Sequence, residues 1–285
     1  MAASALRGRM VDIGGRRLRA VPAGPEDASP LILLEHGAFG CAADWGVVQG
    51  RLAAKGLRSL SYDRAGMGLS EPGPRPRDGR AGAADLDALL AALGETRPMV
   101  LVGHSMGGLY VRHYALTRPE RVLGVVLVDA MTPEVIRLPA GPQAIGSFGA
   151  LLKLAAVSAR FGLMRPVAWI THDLIGLEGE AKAEKRGIHG SSSHARWAAE
   201  EVANWTTTSQ LAGAADFPPK LPVAVVTAGS ERNKPWLKRL QSAPALASDH
   251  GYLEHVAGST HANLLGRRFA DPVVRGVEHV LRFAG

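Results

Sequence analysis

The stretch VLVGHSMGGLYVRHY, residues 100–114, decides how the chain is read. An apolar run stops at Gly103-His104-Ser105-Met106-Gly107, and a helical pattern begins directly after it. This is G-x-S-x-G at the junction of a buried strand and a helix. To present a serine hydroxyl there, the chain must turn sharply with the serine itself strained. Positions two before and two after must lack bulk, because strand and helix pass close together. Gly108 extends the small-residue patch. The Met106 amide would then sit at a helix N-terminus, aimed where an oxyanion develops.

Working outward, the neighbouring segments alternate between the two periodicities. Towards the N-terminus, residues 11–21 read as a hairpin about Gly14-Gly15. Residues 31–37, 99–105 and 122–130 are largely apolar runs, as in strands buried on both faces, and 57–64 reads as a further strand. Between them, Trp45, Val48 and Leu52 fall at helical spacing, as do Leu86, Leu89, Leu90 and Leu93. The helix after Ser105 is ended by Pro119. Strand, helix, strand, helix with apolar strands predicts an α/β fold with a mostly parallel sheet covered on both faces.

The pattern changes at Met131. From there to about Pro219 no strand is expected; 151–164 and 195–214 read as helical, the latter with Ala198, Val202 and Trp205 on one face. Strand patterns resume at 221–229 and 251–261, and a last helix starts with Asp271 as N-cap and Pro272 at its first position. The expected organisation is a core domain of 1–130 and 220–285, interrupted by a helical insertion over 131–219.

Composition narrows the function classes. The 285 residues are 46% hydrophobic and 21% charged, as in an ordinary globular protein. The net charge of +7 comes from scattered positive residues with no accompanying nucleic-acid motif, so nucleic acid is not an expected partner. No apolar run reaches the length of a membrane span. The first 21 residues are rich in arginine and lack a secretory apolar core, and there is one cysteine, Cys41; both fit a reducing, cytoplasmic setting.

A serine of ordinary pKa needs a base, and the base an orienting carboxylate. Among ten histidines, His261 stands in a Gly258-Ser259-Thr260-His261 loop after the last strand pattern, whereas His255 lies inside that pattern and His250 before it. Asp129 ends the strand following the serine-bearing one; Glu231, after the next strand, is the other candidate acid. A second oxyanion donor is the amide of Ala38 or Phe39 in His36-Gly37-Ala38-Phe39-Gly40, a loop that Cys41 shares.

Through HGAFG (36–40), SYDRAGMGLS (61–70), VGHSMGG (102–108), VLVDA (126–130) and the late His261, the chain resembles the α/β-hydrolase-fold serine hydrolases. The resemblance covers most of 11–130 and 221–285. It implies Ser105 as nucleophile, His261 as general base, and the amides of Ala38 and Met106 as oxyanion hole, with no metal or cofactor. Asp63 and Arg64 would tie down the loop after their strand. The family commonly carries its acid as Gly-x-x-Asp after the strand here ending Thr227-Ala228-Gly229, where this chain has Arg232; some relatives place it one strand earlier, at the position of Asp129. Ser259 stands where Gly-x-Gly-His usually has its second glycine. The implied activity is cleavage of a carboxylic ester, thioester or lactone of a small molecule. Cofactor-free haloperoxidases, C–C hydrolases and acyltransferases share the same serine triad, and a non-catalytic ligand-binding member is the other class. Phe148, Phe161, Met164, Trp169, Trp197 and Trp205 are expected either to form an apolar wall over the serine or to pack the insertion onto the core.

Overall fold

The computed structural model describes residues 7–164, 166, 174–232 and 234–284; Trp169 lies outside them, as do residues 1–6 of the arginine-rich N-terminal stretch. Eight strands form one sheet: β1 (Arg9–Asp12), β2 (Arg17–Ala23), β3 (Leu31–Glu35), β4 (Ser59–Tyr62), β5 (Met99–His104), β6 (Val122–Val128), β7 (Val223–Ala228) and β8 (Gly251–Val256), in the order β1-β2-β4-β3-β5-β6-β7-β8. The β1–β2 hairpin joins β4 antiparallel, and every other pairing is parallel. The carboxyl ends of β3, β5, β6 and β7 therefore share one edge, and the loops leaving it carry the chemistry-bearing residues.

Alternation along the strands builds two apolar layers. Leu33, Leu101, Leu127 and Val225 face one way, under helices α2 (Gly79–Ala92) and α3 (Gly107–Thr117). Leu34, Val102, Val126 and Val226 face the other, under α1 (Gly46–Ala54) and α9 (Asp271–Phe283). Both sides being apolar explains why the strands lack a polar stripe. Each large aliphatic side chain so buried contributes roughly 1.5–3 kcal/mol.

Between β6 and β7 the described residues form turns and helices: α4 (Gly141–Arg160), α5 (Gly179–His189), α6 (Ser192–Ala203) and α7 (Trp205–Ala212). Residues 195–214 thus carry parts of two helices broken at Asn204, not one. One further helix, α8 (Pro235–Leu246), follows β7. The N-cap of α9 is Ala270, not Asp271; the Asp271 carboxylate is paired with Arg51 of α1 at 2.6 Å and occupies the first helical turn, where a negative charge still suits the helix dipole. No helix among the described residues is long and apolar enough to cross a membrane.

Candidate active site

Ser105 follows β5 directly and holds a left-handed backbone, φ +55°. The glycines around it are sterically required. A Cβ on Gly103 would come 2.7 Å from the Gly107 carbonyl oxygen, and one on Gly107 would lie 2.4 Å from that of Glu35. The Ser105 carbonyl accepts from the amides of Gly108 (3.0 Å) and Met131 (2.9 Å), which fixes the turn to the chain leaving β6. Such strain persists only where the surroundings enforce it.

That neighbouring chain carries Asp129, also at positive φ (+39°). One carboxylate oxygen, Oδ2, lies 2.6 Å from His261 Nδ1. The other, Oδ1, accepts from the Ala228 amide (3.1 Å) and from Gln241 Nε2 (3.2 Å), and the Lys238 ammonium is 4.0 Å away. Burial pushes this carboxyl up, but the bond and charge of His261, the Ala228 amide and Lys238 together outweigh it and hold it at about 2. Glu231, the other candidate, is exposed in the turn after β7. The carboxylate placed against His261 is that of Asp129.

His261 stands half exposed on its loop. Thr260 and Asn263 brace the loop by mutual side-chain-to-amide bonds of 2.7 and 3.3 Å. Ser259, which replaces a glycine of the family pattern, accepts from the Gly229 amide and donates to the Val256 carbonyl. The His104 ring lies against that of His261, centroids 4.6 Å apart, and its Nε2 is 3.0 Å from the His261 carbonyl, so Nε2 carries the proton. Burial and the neighbouring His261 bring His104 down to about 3, so it remains neutral.

The loop 36–40 runs against the serine: a Cβ added to Gly37 would lie 2.9 Å from Ser105 Cβ. Ala38 and Phe39 pack on a cluster that includes Met106, Trp197 and Trp205. Phe39 has φ +55°, and its carbonyl is held by His194 Nε2 (3.2 Å) and Lys185 Nζ (3.4 Å). His194 Nδ1 accepts the Gly68 amide, so the ring is neutral with its proton on Nε2; burial, then Lys185 and Arg64, bring it to about 3. Lys185 is itself buried and paired with Asp44 at 2.6 Å.

Arg64 joins the remaining parts. Its guanidinium donates to the carbonyls of His36 (2.6 Å) and Gly37 (3.1 Å), to Glu35, and through two nitrogens to Glu201 of α6 (2.8 and 2.7 Å). Tyr62 donates to the second oxygen of Glu35. Asp63 ties its own loop through the Leu69 amide and also accepts from the Ala42 amide and from Arg19 of β2. Arg64 likewise reaches beyond its loop, to residues 35–37 and to Glu201. Glu201, His194, Lys185 and Gln241 were not expected from sequence. The available signal was the Asp63-Arg64 pair placed directly after an apolar strand, where two charges need buried partners.

Of the expected aromatic wall, Trp197 and Trp205 are buried and Phe148 packs beside them, whereas Phe161 is 76% exposed. Cys41 is buried against Ala43 and Ile188, and burial pushes its thiol well up, which disfavours a thiolate.

Comparison with known proteins agrees with this architecture. The family model described as alpha/beta hydrolase fold matches residues 30–267. A non-heme chloroperoxidase of Burkholderia pyrrocinia is 32% identical over 191 residues, covering 59% of this chain and 68% of the relative. One of Streptomyces lividans is 35% identical over 123 residues, covering 43% and 44%. The chain spans less than half the length of the first curated relatives it matches. Among solved structures, a thermophilic esterase of Thermogutta terrifontis superposes with a TM-score of 0.69 at 19% identity, over 98% of this chain and 99% of that one.

Proposed function

Since the chain belongs to the alpha/beta hydrolase fold family, we propose that it is a serine hydrolase that cleaves a carboxylic ester, thioester or lactone of a small, hydrophobic substrate through an acyl-enzyme. The observation that carries the reading is the 2.6 Å Asp129–His261 contact beside the strained Ser105. Asp129 holds the His261 Nδ1 proton, which leaves Nε2 free to take the proton of Ser105 as its oxygen attacks the carbonyl. The amides of Ala38 and Met106 receive the developing oxyanion; a donor of this kind is worth ~10²–10³ in turnover. His261 then protonates the leaving alcohol, and later draws the proton from the water that releases the acid.

In this reading 131–219 acts as a lid on a core of 1–130 and 220–285, and Trp197 and Trp205 supply its apolar inner face. That favours uncharged acyl or alcohol groups. Likeness to the non-heme chloroperoxidases supports a second reading of the same site, in which hydrogen peroxide rather than water takes the acyl group and leaves as a peracid. Both begin with an acyl-enzyme on Ser105.

A fluorophosphonate adduct mapped by mass spectrometry, with p-nitrophenyl ester turnover measured beside Ser105→Ala, tests the common step. A single adduct on Ser105 and a loss of roughly 10⁶ in kcat are expected, as for other triad nucleophiles. Absence of both adduct and turnover rejects the proposal. Replacing water by hydrogen peroxide as acceptor then separates the two readings by product.

A further inference from the structure

The Gly37 carbonyl collects more donors than a peptide oxygen has lone pairs. Arg64 Nη2 and the Gly40 amide each donate to it at 3.1 Å. The His36 ring adds a third. Its Nδ1 lies 2.8 Å from the same oxygen, which can only accept, so Nδ1 carries the proton, while Nε2 accepts the Arg64 amide at 3.4 Å. Arg64 Nη1 also holds the preceding carbonyl, that of His36, at 2.6 Å. The guanidinium is fixed in its turn: it is buried, paired with Glu35 of β3, and gripped through two nitrogens by Glu201 of α6.

The Gly37–Ala38 peptide is trans, so it is one rigid plane whose C=O and N–H point in opposite directions. Fixing the oxygen therefore fixes the line along which the Ala38 N–H points. Among the described residues that N–H has no hydrogen-bond partner. The next plane, Ala38–Phe39, differs: among the described residues nothing donates to its carbonyl. A charged donor makes the stronger hydrogen bond, and bonds in series polarise one another. Arg64 on the Gly37 oxygen thus leaves the Ala38 proton more positive, in a loop that already runs against Ser105.

We propose that Arg64 is a positioning residue for the oxyanion hole: through the Gly37 carbonyl it aims and polarises the Ala38 N–H, and Glu201 sets where the guanidinium stands. The inference rests on the acyl-enzyme reading above and selects Ala38, not Phe39, as the donor. Arg64 acts through one peptide plane rather than on the reacting atoms. A residue from α6 thereby enters the geometry of the core loop, because the second carboxylate on Arg64 comes from between β6 and β7.

Two substrates read this effect without reading stability. p-Nitrophenyl acetate develops its negative charge on oxygen; its thionoester analogue develops it on sulfur, a weak hydrogen-bond acceptor. A variant that only loses folded protein loses both activities alike, so the ratio of their kcat/KM values reports the hole itself. Arg64→Lys keeps the charge but not the planar fork. Its ester-to-thionoester ratio is expected to fall about tenfold, part of the ~10²–10³ that a whole donor supplies. An unchanged ratio overturns the proposal. If Arg64→Lys does not fold, crystals of the wild-type protein phosphonylated on Ser105 decide. The phosphonyl oxygen is expected about 3 Å from the Ala38 nitrogen, with the Gly37 carbonyl still on Arg64. An oxygen bonded to the Phe39 amide instead, or a rotated Gly37–Ala38 plane, overturns the proposal. Wild-type protein with neither adduct nor turnover rejects the hydrolase reading and this proposal with it, whereas adduct and turnover with an unchanged ratio reject this proposal alone.

Discussion

The two loops that flank Ser105 are built by opposite means. Loop 36–40 is held mainly by buried charge: Arg64 on two of its carbonyls, Lys185 together with the neutral His194 on a third, and carboxylates from Glu35, Asp44 and Glu201 behind Arg64 and Lys185. The loop carrying His261 is largely exposed and, apart from the Asp129 carboxylate on the His261 ring itself, is held by neutral bonds: Thr260 to Asn263, Ser259 to Gly229, and His104 to the His261 carbonyl. A group that stabilises charge by position gains from rigidity. A group that must take a proton from one partner and give it to another gains from freedom to shift. Around Ser105, the buried ion pairs of Arg64 and Lys185 stand behind loop 36–40 and not behind the loop of His261.

The largest way to break this comparison is chemical. Asp129→Asn is expected to cut kcat by about 10⁴ while leaving the fold intact, since the amide stabilises the wrong imidazole tautomer. Glu231→Gln, exposed and away from His261, is expected to leave kcat unchanged; steady-state kinetics on one ester decide both, and the reverse order would reassign the acid. Next in size is Arg64→Met, which strands Glu35 and Glu201 without their cation. A loss of about 3–5 kcal/mol in urea unfolding is expected. Asn263→Ala, on the other loop, is expected to cost only about 0.5–1.5 kcal/mol. Equal losses from the two variants would erase the distinction.

The smallest effect sharpens it through pH. His194 sits at about 3 in the folded chain and near 6.5 when unfolded, so the unfolded state binds the extra proton between these values. Its contribution is fully present above about pH 6.5 and is lost as pH falls towards 3. His104 behaves alike. In His194→Gln the fall of the urea midpoint from pH 7 to pH 4 is expected to be shallower, though not abolished. An unchanged slope would mean that the His194 ring is not buried as a neutral acceptor and donor.

The parts of this molecule legible in sequence are those specified locally. Apolar runs gave β3, β5, β6 and β7 because both faces of those strands are buried, and G-x-S-x-G gave the turn because only glycine tolerates contacts such as Gly107 against the Glu35 carbonyl. Asp129 was readable as a strand-end carboxylate but not separable from Glu231, since pairing with His261 is made across 132 residues. Glu201, Lys185 and His194 carry no pattern of their own: on an amphipathic helix a charge destined for burial looks like any solvent-facing one. Asp271 followed the N-cap rule, yet Arg51 from α1 drew its carboxylate away.

The Arg64–Glu201 pair also sets a schedule. Glu201 follows Arg64 by 137 residues, so during synthesis at about 5–20 residues per second the guanidinium waits on the order of ten seconds for its second carboxylate. Until α6 leaves the ribosome, the first half of the chain carries an arginine that has one acid where two are needed, and the carbonyls of His36 and Gly37 lack their fixed frame. Truncated chains ending before α6 therefore expose a half-neutralised pocket to chaperones, and exchanging 131–219 with that of a relative succeeds only if the graft brings an acid to the place of Glu201.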